Sequence, residues 1–120
     1  MPHILTIDDN FNNRLLIKRL LLAEGFEVSE ADNAPAGIEL AQTNPPDLIL
    51  MDIQMPEMDG VTATRTIRTL PEIAAIPVIA LTANAMTGDR EQYLDAGCDG
   101  YISKPIDIDS FINEITQYLG

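Results

Sequence analysis

Five short apolar runs separated by segments of helical periodicity constrain this chain more than any other feature. The runs are His3–Ile7, Phe26–Glu30, Asp47–Met51, Pro77–Leu81 and Gly100–Ile102. Leu48 to Met51 is continuously apolar, as a strand covered on both faces is. Between the runs lie five predicted helices. Asn12–Glu24 gathers Leu16, Ile17, Leu20 and Leu21 on one face and stops at Gly25. Ala34–Thr43 follows Asn33, a capping residue type, and tolerates Pro35 in its first turn. Val61–Leu70 is rich in threonine, a poor helix former, so packing must hold it. Thr87–Ala96 ends at Gly97. Asp107–Leu119 repeats Ile108, Phe111, Ile112, Ile115 and Leu119 at helical spacing behind Asp107 as cap. Strand–helix alternation five times over predicts an α/β, doubly wound parallel sheet with helices on both faces. Right-handed crossovers leave few topologies. In such sheets the functional cleft opens beyond the carboxyl ends of the strands.

Composition narrows the partners. The chain has 120 residues, the size of one domain, so a single unit over 1–120 is expected with no separate output module. Its net charge of −12 repels polyanions, which disfavours direct nucleic-acid binding and docking to an anionic membrane. No apolar run is long enough for membrane insertion. Cys98 is the single cysteine, which excludes an internal disulfide and fits a cytoplasmic setting. It reads as a small structural residue, and His3 as a surface residue at a strand start. Met51, Met55, Met58 and Met86 read as core and loop packing.

The strand ends carry the chemistry. Asp8-Asp9-Asn10 follows the first run, Asp52 the third, Thr82 the fourth and Ser103-Lys104-Pro105 the fifth. Clustered carboxylates resist joint ionisation unless a cation neutralises them. Oxygen donors without His or Cys point to a hard divalent ion, and Mg²⁺ fits best beside a phosphoryl group. A lysine and a hydroxyl beside it suit phosphoryl oxygens. No Ser, Cys or His is placed as a nucleophile, which leaves a carboxylate and an aspartyl-phosphate.

These motifs together are similar to those of response-regulator receiver domains of two-component signalling. The resemblance rests on Ile7-Asp8-Asp9-Asn10, the segment from Leu50 through Asp52 to Gly60, Leu81-Thr82-Ala83 and Tyr101-Ile102-Ser103-Lys104-Pro105. It implies a flavodoxin-like five-stranded sheet, order 2-1-3-4-5, with five helices. It also implies that Asp52 is the phosphoacceptor, supplied by a histidine kinase or a histidine phosphotransfer protein. Asp9 and Asp52 would hold Mg²⁺ directly, Asp8 through water or in part, and the Gln54 main-chain carbonyl would be a further ligand. Lys104 would pair with a phosphoryl oxygen, Thr82 would rotate in to bond another, and Tyr101 would swing inward behind it. The Lys104–Pro105 bond is expected to be cis. Ala83 is small enough to leave the phosphoryl group reachable, and Gln54 and Asn84 are the neighbours expected to set its lifetime. The result is a phosphorylation switch acting on a downstream protein of unknown identity. The readout face would be the fourth helix, fifth strand and fifth helix.

One feature departs from that pattern. Phe11, Leu15 and Leu22 point away from the core face of the first helix, with Lys18 and Arg19 between. Scattered surface leucines are ordinary and account for such a stripe; the sharper alternative is that it docks a partner helix or a second copy. Among partners, a phosphorylation-dependent homodimer is also envisaged. The rival readings are three. A Mg²⁺-dependent aspartyl phosphohydrolase would need an acid two residues after Asp52, where Gln54 stands. An interaction domain without phosphorylation would not need the intact acid set. A receiver cut from a hybrid sensor histidine kinase shares the Met51–Pro56 wording.

Overall fold

Strands and helices alternate without exception in a computed structural model describing residues 2–55, 58–83 and 87–119. The elements are β1 (His3–Ile7), α1 (Phe11–Ala23), β2 (Glu27–Ala31), α2 (Ala34–Thr43) and β3 (Leu48–Asp52). Then follow α3 (Gly60–Arg68), β4 (Val78–Thr82), α4 (Thr87–Ala96), β5 (Gly100–Ser103) and α5 (Ile108–Thr116). All strand pairs are parallel, in the order β2-β1-β3-β4-β5. This is the doubly wound, flavodoxin-like arrangement that the alternation and the resemblance imply. Four strands extend one residue further than the apolar runs. The ladder continues into polar residues: Asp52 pairs with Leu81, and Thr82 with Ser103. Ala31 likewise pairs with Ile7.

The helices start where short polar side chains can satisfy free amides. Asn10 accepts from the Asn13 amide at 3.0 Å, Asn33 from Ala36 at 2.8 Å, and Asp59 from Thr62 at 2.8 Å. Asp107 accepts from Asp109 at 3.0 Å and caps α5, as its residue type and position imply. Each such cap stabilises by about 1 kcal/mol. After Thr116 the chain continues in tighter turns, with Tyr118 N donating to Ile115 O at 3.0 Å.

Alternation along the strands builds two cores. Leu5, Ile7, Ile49, Met51, Val78 and Ala80 pack with residues of α2, α3 and α4, including Ile38, Ile67 and Tyr93. Ile4, Leu48, Leu50, Ile79, Leu81 and Ile102 pack with Ile17 and Leu21 of α1 and with Phe111 and Ile115 of α5. Phe111 is fully buried, and its truncation to alanine would cost about 3–5 kcal/mol. Leu16 and Leu20 are half-buried rather than central, because Ile17 and Leu21 take the line of closest approach. Met51 and Met55 are buried and Met58 packs against them. Met86 lies outside the described residues. Cys98 is buried with Sγ 3.6 Å from Thr64 Oγ1, and burial pushes its thiol pKa up. His3 is half-buried, with Nε2 2.7 Å from Ser29 Oγ.

Arg68, the last residue of α3, ties the far end of the molecule together. Nε and Nη2 donate to Gly97 O at 3.0 and 2.7 Å, and Nη1 donates to Ala74 O and Ile76 O at 3.0 and 2.7 Å. Nη2 also reaches Asp99 Oδ2 at 2.9 Å, so all five N–H donors of the guanidinium are used. Gly97 ends α4 with φ of 111°, a backbone conformation that disfavours a side chain. No helix among the described residues is long and apolar enough to cross a membrane.

Candidate functional site

Register sets the site. Ile7 pairs with Met51, Asp52 with Leu81, and Thr82 with Ser103. Asp8, Asp52, Thr82 and Lys104 therefore arrive at adjacent carboxyl ends of β1, β3, β4 and β5. Lys104 N donates to Thr82 O at 2.8 Å, which carries the pairing one step past β5. The Lys104–Pro105 peptide bond is cis. The backbone at Asp52 is closely covered. A Cβ on Gly60 would lie 2.6 Å from Asp52 O and 2.8 Å from Ile53 Cα, so α3 can begin there only with glycine.

Asp8, Asp9 and Asp52 each offer a carboxylate oxygen, all within 4.8 Å of one another. Asp8 and Asp52 are buried and Asp9 is exposed. Lys104 Nζ lies 3.0 Å from Asp52 Oδ1 and 3.5 Å from Asp8 Oδ2. The Gln54 amide donates to Asp52 Oδ1 at 3.3 Å, and the Asn10 amide to Asp8 Oδ1 at 2.8 Å. Asp8 Oδ2 is buried and accepts no hydrogen bond; its contact with Lys104 is purely an ion pair. Burial, reinforced by the charge on Asp8, pushes the Asp52 pKa up to about 6 against the opposing pull of Lys104 and the Gln54 amide. One ammonium thus pairs with two buried carboxylates, and the exposed Asp9 adds a third to the cluster. An under-bonded buried oxygen and an all-oxygen donor set fit a hard divalent cation.

Thr82 is buried, and its Oγ1 lies 2.9 Å from the Tyr93 hydroxyl of α4. Tyr93 itself is buried, and nothing in its spacing marks it as part of the site, because the contact depends on how α4 rolls against the sheet. Tyr101 is half-buried in β5, paired with Ala80 and packed on the same core as Tyr93. Ala83 and the Gln54 side chain are exposed; Asn84 lies outside the described residues. On α1, Phe11 and Leu22 are 62% and 52% exposed, whereas Leu15 is half-buried. The basic rim expected beside this stripe is partly engaged: Lys18 Nζ lies 3.2 Å from Glu30 Oε2. Arg14 is the other residue that spacing does not reveal. Nε lies 3.1 Å from Glu30 Oε1, and Nη1 donates to Asp8 O at 2.7 Å.

The chain has counterparts among known proteins in sequence and in fold. The family model of the response regulator receiver domain matches residues 4–116. The polar-differentiation response regulator DivK of Brucella anthropi is 44% identical over 117 residues, covering 98% of this chain and 95% of the relative. DivK of Brucella ovis is 43% identical over the same span. Among solved structures, the chemotaxis protein CheY4 of Vibrio cholerae superposes with a TM-score of 0.94 at 23% identity over 98% of both chains, a likeness of fold. The receiver domain of a sensor histidine kinase from Pseudomonas aeruginosa, solved with a magnesium ion coordinated in its active-site cleft, gives 0.91 at 35% identity. That match covers 99% of this chain and 98% of the other. By family model and by sequence identity over nearly its whole length, the chain belongs to the response-regulator receiver domains of two-component signalling.

Proposed function

We propose that Asp52 accepts a phosphoryl group from a phosphohistidine on a histidine kinase or histidine phosphotransfer protein. A carboxylate oxygen of Asp52 attacks phosphorus, the P–N bond breaks, and its electron pair stays on the imidazole. The contact that carries this reading is Lys104 Nζ at 3.0 Å from Asp52 Oδ1 inside a cluster of three aspartates. At neutral pH Asp52, with its pKa about 6, is largely ionised and competent as a nucleophile. Lys104 is within reach to neutralise a phosphoryl oxygen.

Asp8, Asp9, Asp52 and the main-chain carbonyl of Gln54 would hold Mg²⁺. The bound ion supplies charge neutralisation at the phosphoryl oxygens. The magnesium-bound relative supports this assignment.

Phosphorylation adds about −1.5 to −2 charge where one lysine is already shared by two buried acids, and biases a two-state equilibrium. Thr82 gives up the Tyr93 hydroxyl to bond a phosphoryl oxygen, and Tyr101 follows inward. The readout face is α4, β5 and α5. The unit over 1–120 acts in the cytoplasm by protein contact, with no direct binding of nucleic acid. The exposed Phe11 and Leu22, with the edge of Leu15, receive the phosphodonor's helix. The exposed Gln54 beside Asp52, together with Asn84, sets the lifetime of the acyl phosphate.

The test is labelling by acetyl phosphate with Mg²⁺, read by intact mass. The wild type gains one phosphoryl group, and Asp52→Ala gains none. Equal labelling of the two would remove Asp52 as the acceptor, and labelling unaffected by chelation would remove the metal.

A further inference from the structure

On the α1–β2 side of the site sits a cation that neither phosphoryl transfer nor metal ligation uses. The Arg14 side chain is 13% exposed. Its guanidinium is held from three directions. Glu30 Oε1 meets Nε at 3.1 Å, Asp8 O meets Nη1 at 2.7 Å, and the Phe11 ring centroid lies 5.7 Å from the guanidinium carbon. Glu30 is itself gripped by Lys18 Nζ at 3.2 Å. Burial alone would raise the Glu30 pKa. Arg14 and Lys18 together outweigh burial and hold it below the usual carboxylate range, so the anchor stays ionised.

The contact to Asp8 falls where regular structure ends. The β1–β2 ladder closes at Ile7 and Ala31, and the Asp8 amide makes one further bond to Ala31 O at 3.1 Å. Past that point the direction of the Asp8 peptide is set by the Arg14 bond to its carbonyl. The next two residues are Asp9 and the α1 cap Asn10, whose amide in turn binds Asp8 Oδ1 at 2.8 Å. An error in this peptide would therefore displace two of the three clustered carboxylates.

We infer that Arg14, anchored by Glu30, is a positioning residue that sets the Asp8–Asp9–Asn10 backbone for divalent-cation binding. The inference rests on the metal assignment proposed above. A planar fork reaching a carboxylate and a carbonyl in different directions needs arginine; a lysine supplies the charge without that geometry.

The experiment is Mg²⁺ titration of the full chain, followed by the amide NMR shifts of Asp9 and Asn10. It compares wild type, Arg14→Ala, Arg14→Lys and Glu30→Gln, with urea unfolding of each in chelator. Arg14→Lys should weaken Mg²⁺ binding about 10-fold, in the range of losses for outer-shell partners of metal ligands. Glu30→Gln should weaken it less. Saturating Mg²⁺ should restore the wild-type labelling rate to both. If Arg14→Ala fails to fold, the other two variants carry the test. Wild-type Mg²⁺ affinity in Arg14→Lys, with only stability lowered, would show a structural staple and overturn the inference. Absence of Mg²⁺ binding by the wild type would instead overturn the metal assignment and this inference with it.

Discussion

Asp52 and Glu30 are both carboxylates beside ammonium groups at one rim of the sheet, and their proton affinities move in opposite directions. Burial and the neighbouring Asp8 lift Asp52 to about 6 despite Lys104. Glu30 also feels burial, yet Arg14 and Lys18 bring it below its ordinary value. The difference is one of stoichiometry and solvent. Two cations serve Glu30, whose side chain is 34% exposed, whereas one cation is shared by the buried Asp8 and Asp52, with Asp9 beside them. A saturated acid does structural work. An acid left short of positive charge is the one prepared to recruit more.

Four experiments sharpen or break this contrast. The largest effect is expected from the cations. Lys104→Ala should slow labelling of Asp52 on the order of 100-fold, as loss of a charge-stabilising donor does, whereas Lys18→Met should leave it near wild type. Equal losses, measured by phosphorylation time courses, would erase the distinction between the two sites.

Stability comes next. Asp52→Asn removes a carboxylate from a crowded buried set, so in chelator at neutral pH it should stabilise the fold by about 1–3 kcal/mol. Glu30→Gln should destabilise it by about 1 kcal/mol, since that pair is part-exposed and screened. Urea unfolding gives both signs, and two losses would contradict the first.

The pH profile separates them further. The folded pKa of Asp52 lies above its ordinary value of 3.8, so its contribution is fully present below 3.8 and is lost as pH rises through about 6. Metal-free wild type should lose about 1.4 kcal/mol per pH unit across that window, and Asp52→Asn should not. Glu30 behaves in the opposite sense. Its contribution is present above 4.5 and fades as pH falls through its lowered folded pKa, so Glu30→Gln and wild type should converge in acid.

The smallest effect is that of Tyr93→Phe. It removes one buried hydroxyl partner of Thr82, costs about 1 kcal/mol of stability, and should raise the fraction of molecules with Thr82 turned to the phosphoryl group. Unchanged Thr82 side-chain NMR shifts, with and without phosphoryl label, would remove Tyr93 from the switch.

Much of this was legible in the sequence because periodicity and register are local. Short apolar runs mark strands buried on both faces, and the polar residues that follow the first, third, fourth and fifth runs mark the carboxyl edge. That logic reaches Asp8, Asp52, Thr82 and Lys104 without coordinates. It stops one residue short of each strand end at Ala31, Asp52, Thr82 and Ser103, since hydrogen bonding to a neighbour extends a strand past its hydrophobic stretch. Arg14–Glu30 and Thr82–Tyr93 were not legible. Each joins a helix to a strand, and both depend on the roll of that helix, which no spacing rule gives. The α1 stripe was read partly: a half-buried Leu15 sits between outward and inward positions, where a helical wheel divides too sharply.

Arg68 has a mechanical consequence. Its guanidinium fastens Gly97, at the carboxyl end of α4, to the segment between α3 and β4 through carbonyls that do not belong to the site. A helix secured at one end can only swing. With ten residues rising about 1.5 Å each, α4 is a lever arm of about 15 Å with Gly97 as its fulcrum. A small displacement at the Tyr93 contact, four residues from the fulcrum, would grow toward the Thr87 end. Hydrogen exchange on phosphorylation should therefore rise from Ala96 towards Thr87, and Arg68→Ala should flatten that gradient by letting the fulcrum slip.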